Sequence, residues 1–465
     1  MRVGYVISRR PPTNSSFEFE LEEPGSVAVG DFVEVPLDRG ALLARVAKAY
    51  VENQLLSSPG LVREHSLYGL KLPSRAALET SEVHVARAEA VGIVAEDGIH
   101  PPSTPPTPGS PVYTAAGTSL ARLLGFVEGG VRLGRVWRSG VEAVLDAELL
   151  LKHHVAVLGA TGSGKSYTCG VLAEEVLELG LPLVVLDPHG EYATLSERYR
   201  VRRLRADRVA IPPGEVSPDA IAEATEMSDV QRDLLYLAWQ EAEGPYLEDL
   251  EEAVRRVTAQ FRFRDETLIA LVRRLRVLKA YGAFTGKGER LELAEGEALI
   301  IDVGLGMPEH VTRALAGSIV WRLFEARKLG DAPPFALIVD EAQRFLPVDE
   351  ETFSRTALRT VAREGRKFGA SLTIASQRVV GLDKDVLSQC GTKILLRMDS
   401  PTDLAMLKPA LGSYAKLLPH LPTGVALVTG VSTRYPVLVE VRGRKTTHGG
   451  SGVKLRIKAP SGGTG

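Results

Sequence analysis

An α/β core on a mainly parallel, doubly wound sheet, preceded by a small β-barrel and interrupted by a helical insertion, is the architecture this sequence predicts. Three observations carry it. Over residues 1–98, short β-branched segments alternate with turn signals, and Phe17, Phe19 and Leu21 interleave with Glu18 and Glu20 at a period of two, as in half-buried strands. Further on, "HVAVLGATG", "LPLVVLDPHG", "EALIIDVG", "FALIVDEAQRF", "ASLTIASQR" and "TKILLRM" are short continuous apolar runs separated by helical stretches, the pattern of strands covered on both faces. Between the second and third of these runs the rhythm turns helical.

Taken in order, residues 1–98 form the barrel and 99–145 a connector that opens on the Pro-rich "IHPPSTPPTPGSP", an extended stretch unable to pack as helix or central strand. Residues 146–214 begin the core, and 215–290 make the insertion. There "MSDVQRDLLYLAWQEA" sets Ser228 and Gln231 at capping-box spacing and Val230, Leu234, Leu237 and Ala238 along one stripe. Residues 291–445 complete the core and end in "GVALVTGVSTRYPVLVEV", which reads as a hairpin. Residues 446–465 form a tail, with disorder expected at its end.

The bulk numbers exclude several classes. At 465 residues the chain has room for about two to four domains. Lys+Arg 56 against Asp+Glu 58 gives a net charge of -2, so any polyanion must meet a local patch or a lined channel. Cys169 and Cys390 cannot build a disulfide framework and have no partner at metal-ligand spacing, which suits a reducing compartment. No apolar run approaches the ~18 residues of a membrane span and the N-terminus lacks an apolar signal region, so no membrane association and a cytoplasmic location are expected.

The chemistry concentrates in "GATGSGKS", residues 159–166, which matches G-x-x-x-x-G-K-[ST] between an apolar strand and a helical run. In such a P-loop the backbone of Gly159, Ala160, Thr161, Gly162, Ser163 and Gly164 wraps phosphates, continuing through Ser166 and Tyr167. Lys165 reaches the β and γ phosphates and Ser166 offers a hydroxyl to Mg²⁺. In "FALIVDEAQRF" Asp340 and Glu341 stand at a strand's C-terminal end, the ligand edge of a parallel sheet; Asp340 is assigned to the metal and Glu341 to general base. Asp187, in "LVVLDPHGEY", either orients the Mg²⁺ shell or the water, or caps the following turn. Gln377, ending "ASLTIASQ", either senses the γ-phosphate or makes a structural hydrogen bond.

The order "GATGSGKS", "DPHGEY", "IVDEAQRF", "AREGRKFG" and "ASQR" resembles the archaeal HerA DNA translocases, relatives of the FtsK pumps among RecA-like ATPases. The Walker motifs are widely shared, whereas "DPHGEY" with "REGRKFG…SQR" is far more specific. The resemblance implies a RecA-like core behind a small barrel, with ATP and Mg²⁺ bound between subunits of a homo-oligomeric ring, a hexamer. It also implies that the ring pumps double-stranded DNA, working with a NurA-type nuclease in end resection and recombinational repair. Carried onto this chain, Arg366 is the first candidate for an arginine finger on a neighbour's γ-phosphate, Arg363 the second and Arg397 the third. DNA contacts are sought in "RYRVRRLR", 198–205, and at Arg262, Arg264, Arg273, Arg274 and Arg276, although charge clusters are more often solvated faces. A motor acting on protein and a nucleotide-gated ring with little hydrolysis are the alternatives. Glu341 beside Asp340 argues against the second.

Overall fold

The N-terminal alternation does form a barrel. The computed structural model describes residues 1–53, 81–115, 117–304 and 306–449. Its first strands are β1 (Arg2–Ile7), β2 (Ser16–Leu21), β3 (Phe32–Pro36), β4 (Ala41–Asn53), β5 (Glu82–Ala95), β6 (Gly98–His100) and β7 (Pro111–Thr114). They run β2-β1-β7-β3-β4-β5, and β5 returns to pair with β2, which closes the sheet and removes its edges. Phe17, Phe19, Val33, Leu42, Val46 and Val112 fill the interior. Glu20 points out as the alternation requires, but Glu18 is buried near Arg10.

Closure corrects the expected boundary at residue 98. Strand β7, inside the predicted connector, fills the gap between β1 and β3, and Val112 within it is fully buried. The Pro-rich stretch is the span that brings the chain back, and a strand of four residues is too short for its period to show in sequence.

The chain continues through α1 (Gly117–Leu124), β8 (Val131–Val136), β9 (Glu142–Leu145), α2 (Ala147–Lys152), β10 (Val155–Leu158), α3 (Lys165–Glu178), β11 (Leu183–Asp187) and β12 (Arg200–Arg205). The insertion holds α4 (Pro218–Glu223), α5 (Asp229–Glu241), α6 (Leu247–Phe261) and α7 (Asp265–Ala280). Then follow β13 (Glu297–Asp302), α8 (Glu309–Leu329), β14 (Phe335–Val339), α9 (Phe353–Phe368), β15 (Ala370–Ser376), α10 (Lys384–Gln389), β16 (Thr392–Leu395), α11 (Pro401–Leu411), β17 (Val425–Gly430) and β18 (Val437–Val441).

These elements form two units, Met1–Ser163 with Gly391–Gly443, and Gly164–Cys390 with the segment from Arg444. In the first, β10 and β16 are parallel, and β17, β18, β8 and β9 then add antiparallel, so the hairpin read from "GVALVTG…" forms inside a mixed sheet. The barrel belongs to this unit, with Asp31 paired to Arg138 at 3.0 Å and Arg45 donating to Ser413 at 2.9 Å. In the second, β12, β13, β11, β14 and β15 form five parallel strands in that order, and α9 packs on α8 where Gly317 leaves room for the backbone of Ser354.

Two further expectations change. The capping box at Ser228 and Gln231 is present, but the buried face of α5 is Leu234, Leu235 and Ala238, with Val230 exposed and Leu237 half-buried. Contact with α4, α6 and α7 together turns that face from the simple stripe. "RVRRLR" is an edge strand, not a free basic patch: Arg200 pairs with Glu297 at 3.2 Å, Arg205 with Asp207 at 2.9 Å, and Arg202 donates to the carbonyl of Arg290. Of the predicted tail, Thr446–Gly449 is folded, and 450–465 lies outside the described residues. No helix among the described residues is long and apolar enough to cross a membrane.

Candidate nucleotide site

The loop after β10 divides between the units, Gly159–Ser163 closing the first and Gly164 opening the second. Each glycine has a reason to be there. A Cβ on Gly159 would lie 2.5 Å from Ser163 Oγ and 2.8 Å from Leu396 Cβ, so close packing forbids one. Gly162 (φ 73°) and Gly164 (φ 105°) hold left-handed backbone, and Gly164 caps the N-terminus of α3. The Ala160 N–H is taken by the carbonyl of Arg397 at 2.9 Å. Ser163 Oγ is buried without a hydrogen-bond partner among the described residues.

The second unit gathers the charged groups. Lys165, first residue of α3 and 7% exposed, donates to Glu341 Oε1 at 3.0 Å and lies 3.8 Å from Asp340 Oδ1. Burial works against its charge, but Asp340 and Glu341 outweigh it and hold the ammonium above its ordinary pKa. Asp340 accepts from the Glu341 N–H at 2.9 Å and the Tyr192 hydroxyl at 3.2 Å, yet burial wins and its pKa is raised despite Lys165. Glu341 goes the other way. Burial would raise it, but Gln377, Lys165 and Gln343 together hold it below the carboxylate range. Gln377 Nε2 donates to Glu341 Oε1 at 2.7 Å, and Gln343 Nε2 donates to Oε2.

Glu341 is also strained. Its φ of 48° and ψ of 47° are left-handed for a non-glycine residue, a conformation costing about 1–3 kcal/mol that persists where its surroundings impose it. The strain swings the carboxylate out of the strand line of β14 and onto Lys165 and Gln377. Sequence spacing brought Asp340 and Glu341 to the strand end; the turn that separates their surroundings was not legible.

Of the two readings of Asp187, its hydrogen bonds describe the turn. Oδ1 accepts the N–H groups of His189, Gly190 and Glu191, and Oδ2 accepts that of Tyr192 at 3.1 Å, so "DPHGEY" folds around this carboxylate. The same turn buries Tyr192 completely and aims its hydroxyl at Asp340. Tyr192, Gln343 and Ser376, whose hydroxyl donates to Gln343 at 2.8 Å, escaped the sequence reading because only their side-chain partners give them a role. Cys169 is fully buried beside them, with its thiol pushed up by burial.

The candidate arginines separate. On α9, Arg355 and Arg359 converge on Asp383 at 2.8 and 2.7 Å, and Arg363 continues the ladder to Asp385 at 2.9 Å. Arg366, in the last turn, is exposed and makes no ion pair or hydrogen bond among the described residues. Arg397, half-buried, belongs to the first unit. In the insertion, Arg276 lies 3.6 Å from Glu251 and Arg274 donates to the carbonyl of Thr225, whereas Arg262, Arg264 and Arg273 are exposed.

The donor set can be tested for Mg²⁺. Among the described residues no cluster of three or more acidic, His or Cys side chains could cage a metal. A single under-compensated carboxylate with a hydroxyl nearby in the motif is what Mg²⁺ takes when phosphates supply other ligands, and Asp340 with Ser166 fits that description.

The chain resembles known proteins both in sequence and in fold. Residues 131–323 match the family described as "Helicase HerA, central domain". The chain is 28% identical to the DNA double-strand break repair helicase HerA of Pyrococcus furiosus, over 97% of this chain and 94% of that one. It is 26% identical to the protein of the same description from Saccharolobus solfataricus, over 95% and 92%. Among solved structures, VirB4 of Thermoanaerobacter pseudethanolicus superposes with a TM-score of 0.56 at 16% identity, covering 68% of this chain and 97% of that one. The plasmid coupling protein TrwB in complex with ADP and Mg²⁺ does so at 0.52 and 17%, covering 72% and 94%. The two solved structures share this chain's fold.

Proposed function

We propose that this chain is a HerA-type P-loop ATPase that hydrolyses ATP to drive movement along double-stranded DNA in the repair of broken ends. The observation that carries the reading is the cluster at the end of β14, where Glu341 is ionised, strained and tied to both Lys165 and Gln377. A clamp that only bound nucleotide would have no use for a base held in that state.

Each residue then has a task. Lys165 leaves Glu341 for the β and γ phosphates when nucleotide arrives, since its charge is secure and its present partners are carboxylates. Asp340, with Ser166, would hold Mg²⁺, whose charge would offset the charge developing on the phosphates. Glu341, released from Lys165, accepts a proton from the attacking water. Gln377, hydrogen-bonded to Glu341, reports γ-phosphate occupancy to it. Asp187 keeps the "DPHGEY" turn folded so that Tyr192 steadies Asp340.

Arg366 is the group a neighbouring subunit's ATP would meet, because Arg363 is already spent on Asp385. That role needs a homo-oligomer, which for this family reading is a hexameric ring, with a NurA-type nuclease as partner in resection. Purified protein is expected to show ATPase stimulated by duplex DNA, and native mass measurement with ATP and DNA to show six copies. Stimulation by unfolded polypeptide and indifference to DNA would overturn the reading in favour of a protein motor.

A further inference from the structure

We propose that the segment Arg444–His448 is a latch that sets the position of the Walker helix α3, making Arg444 and Tyr167 positioning residues for nucleotide binding. The inference rests on the ATPase reading above and goes beyond it. Its basis is a second buried charge cluster, on α3 but away from Glu341.

Glu174 stands in the middle of α3 and is fully buried. A lone carboxylate there would be very costly, so its partners matter. The latch supplies several of them. Lys445 N–H donates to Oε1 and Oε2 at 2.9 and 3.0 Å, Thr446 donates to Oε1 through both its N–H and its hydroxyl at 2.9 Å, and Arg444 Nε lies 3.6 Å away. Lys445 also reaches Glu175 at 3.2 Å and Glu178, one helical turn on from Glu174.

The Arg444 side chain is 2% exposed and lies directly against Gly170. A Cβ on Gly170 would sit 2.6 Å from the guanidinium carbon. A glycine in mid-helix is unfavourable relative to alanine, so its presence here needs a packing reason, and the guanidinium supplies one.

The latch meets the first turn of α3 as well. Tyr167, directly after Ser166, accepts the Arg444 N–H at 2.8 Å on its hydroxyl and packs edge-on against His448 at 5.5 Å. From the same few residues, Arg444 donates to Thr194 and Thr447 donates to Glu197 at 2.7 Å, so the turn that follows "DPHGEY" is held too. One short segment, about 270 positions downstream, therefore fixes both elements that bring Lys165, Ser166 and Tyr192 into place.

The backbone N–H groups at the start of α3 contact phosphate alike in ground and transition states, whereas the Lys165 and Glu341 side chains, held by their own cluster, act on turnover. Loosening the latch should accordingly change binding more than rate. On the full chain, Arg444→Ala is expected to weaken ADP binding about tenfold and raise KM for ATP by the same factor, with kcat within about threefold. Arg444→Lys should recover little, since an ammonium cannot cover Gly170 as a planar guanidinium does. Tyr167→Phe removes only one acceptor and should give a smaller loss of the same kind.

Gly170→Ala attacks the latch from the helix side and should mimic Arg444→Ala. In the double variant the clash is gone, so its ADP affinity should be no worse than that of Arg444→Ala alone. Multiplying losses in the double variant, or unchanged ADP binding by folded Arg444→Ala, would overturn the proposal. A fall in kcat with KM unchanged would do so too. Failure of the wild-type chain to bind ADP at all is a different result, and it would overturn the nucleotide reading beneath.

Discussion

Asp340 and Asp383 are both about 1% exposed and both sit beside basic side chains, yet they have opposite electrostatic fates. At Asp383, burial opposes the charge but is overcome by Arg359, by the Val386 N–H at 2.9 Å and by Arg355, and the pKa is lowered. At Asp340 burial is the larger effect, Lys165 at 3.8 Å does not offset it, and the pKa is raised. A carboxylate whose charge is fully met by its own chain is a strut. One left short of positive charge is a place for a cation, and the strained Glu341 beside it marks the same spot.

The sharpest way to break this comparison is to remove chemistry from the Asp340 side. Lys165→Ala and Glu341→Gln are each expected to lower ATPase by about 10³-fold or more, the scale set by losing a group that acts on the transferring phosphoryl. Glu341→Gln should still bind nucleotide, because its carboxylate is the partner Lys165 gives up. Steady-state turnover beside ADP binding checks both; substantial turnover in Glu341→Gln would remove Glu341 as base.

Next in size comes the contrast along α9. Arg366→Ala is expected to lower turnover by about 10³-fold while ADP binding and assembly are kept, as for a finger acting in trans. Arg363→Ala should change turnover by no more than a fewfold, since its side chain is 60% exposed and its guanidinium already paired with Asp385. Mixing Arg366→Ala with Lys165→Ala subunits supplies the cleanest check: partial recovery of activity in the mixture requires that the two residues serve different subunits.

Much of this was legible in sequence, and the residues show why. Gly159, Gly162, Gly164 and Lys165 are fixed by local spacing, and the apolar runs ending at Asp187 and Glu341 could be placed on the ligand edge because parallel strands present their C-terminal ends to ligand. Long-range partnerships were not legible. Nothing local to "VLAEEVLEL" reveals that Glu174 is buried against Thr446, and nothing local to "RYRVRRLR" distinguishes a solvated patch from an edge strand paired to Glu297. The barrel's last strand was lost for a related reason, its four residues gaining their meaning only from β1 and β3. That Asp187 caps its turn shows only in the four N–H groups its carboxylate accepts.

On the other side of the comparison, Asp383→Ala should damage the fold and spare the chemistry. It takes the buried partner from Arg355, 7% exposed and left with Glu350 and Glu351, and from Arg359, and breaking a buried pair in this way costs about 3 kcal/mol. Urea unfolding should show that loss, whereas turnover per folded molecule stays near wild type. With a lowered folded pKa, Asp383 contributes stability above about pH 3.9, and that contribution fades as pH falls through the folded value. A midpoint equal to wild type at pH 7 would mean the ladder on α9 is decoration.

Asp340→Asn is the smallest expected effect on stability and the most informative. Because the folded pKa of Asp340 is raised, the native state favours its proton; stability from this group is highest below about pH 3.9 and is given up as pH rises to the folded value. Ionising Asp340 as pH rises therefore costs the nucleotide-free fold stability. The isosteric amide keeps its oxygen for the Glu341 N–H, gives the rotatable Tyr192 hydroxyl an NH₂ to accept from and removes the charge, so unfolding at pH 7.5 without nucleotide should shift by less than about 1 kcal/mol or move toward greater stability. Turnover should vanish, and Mg²⁺ should no longer strengthen ADP binding. If Asp340→Asn instead destabilises the fold as much as Asp383→Ala does, the two aspartates are both struts, and the case for Asp340 as the cation site fails.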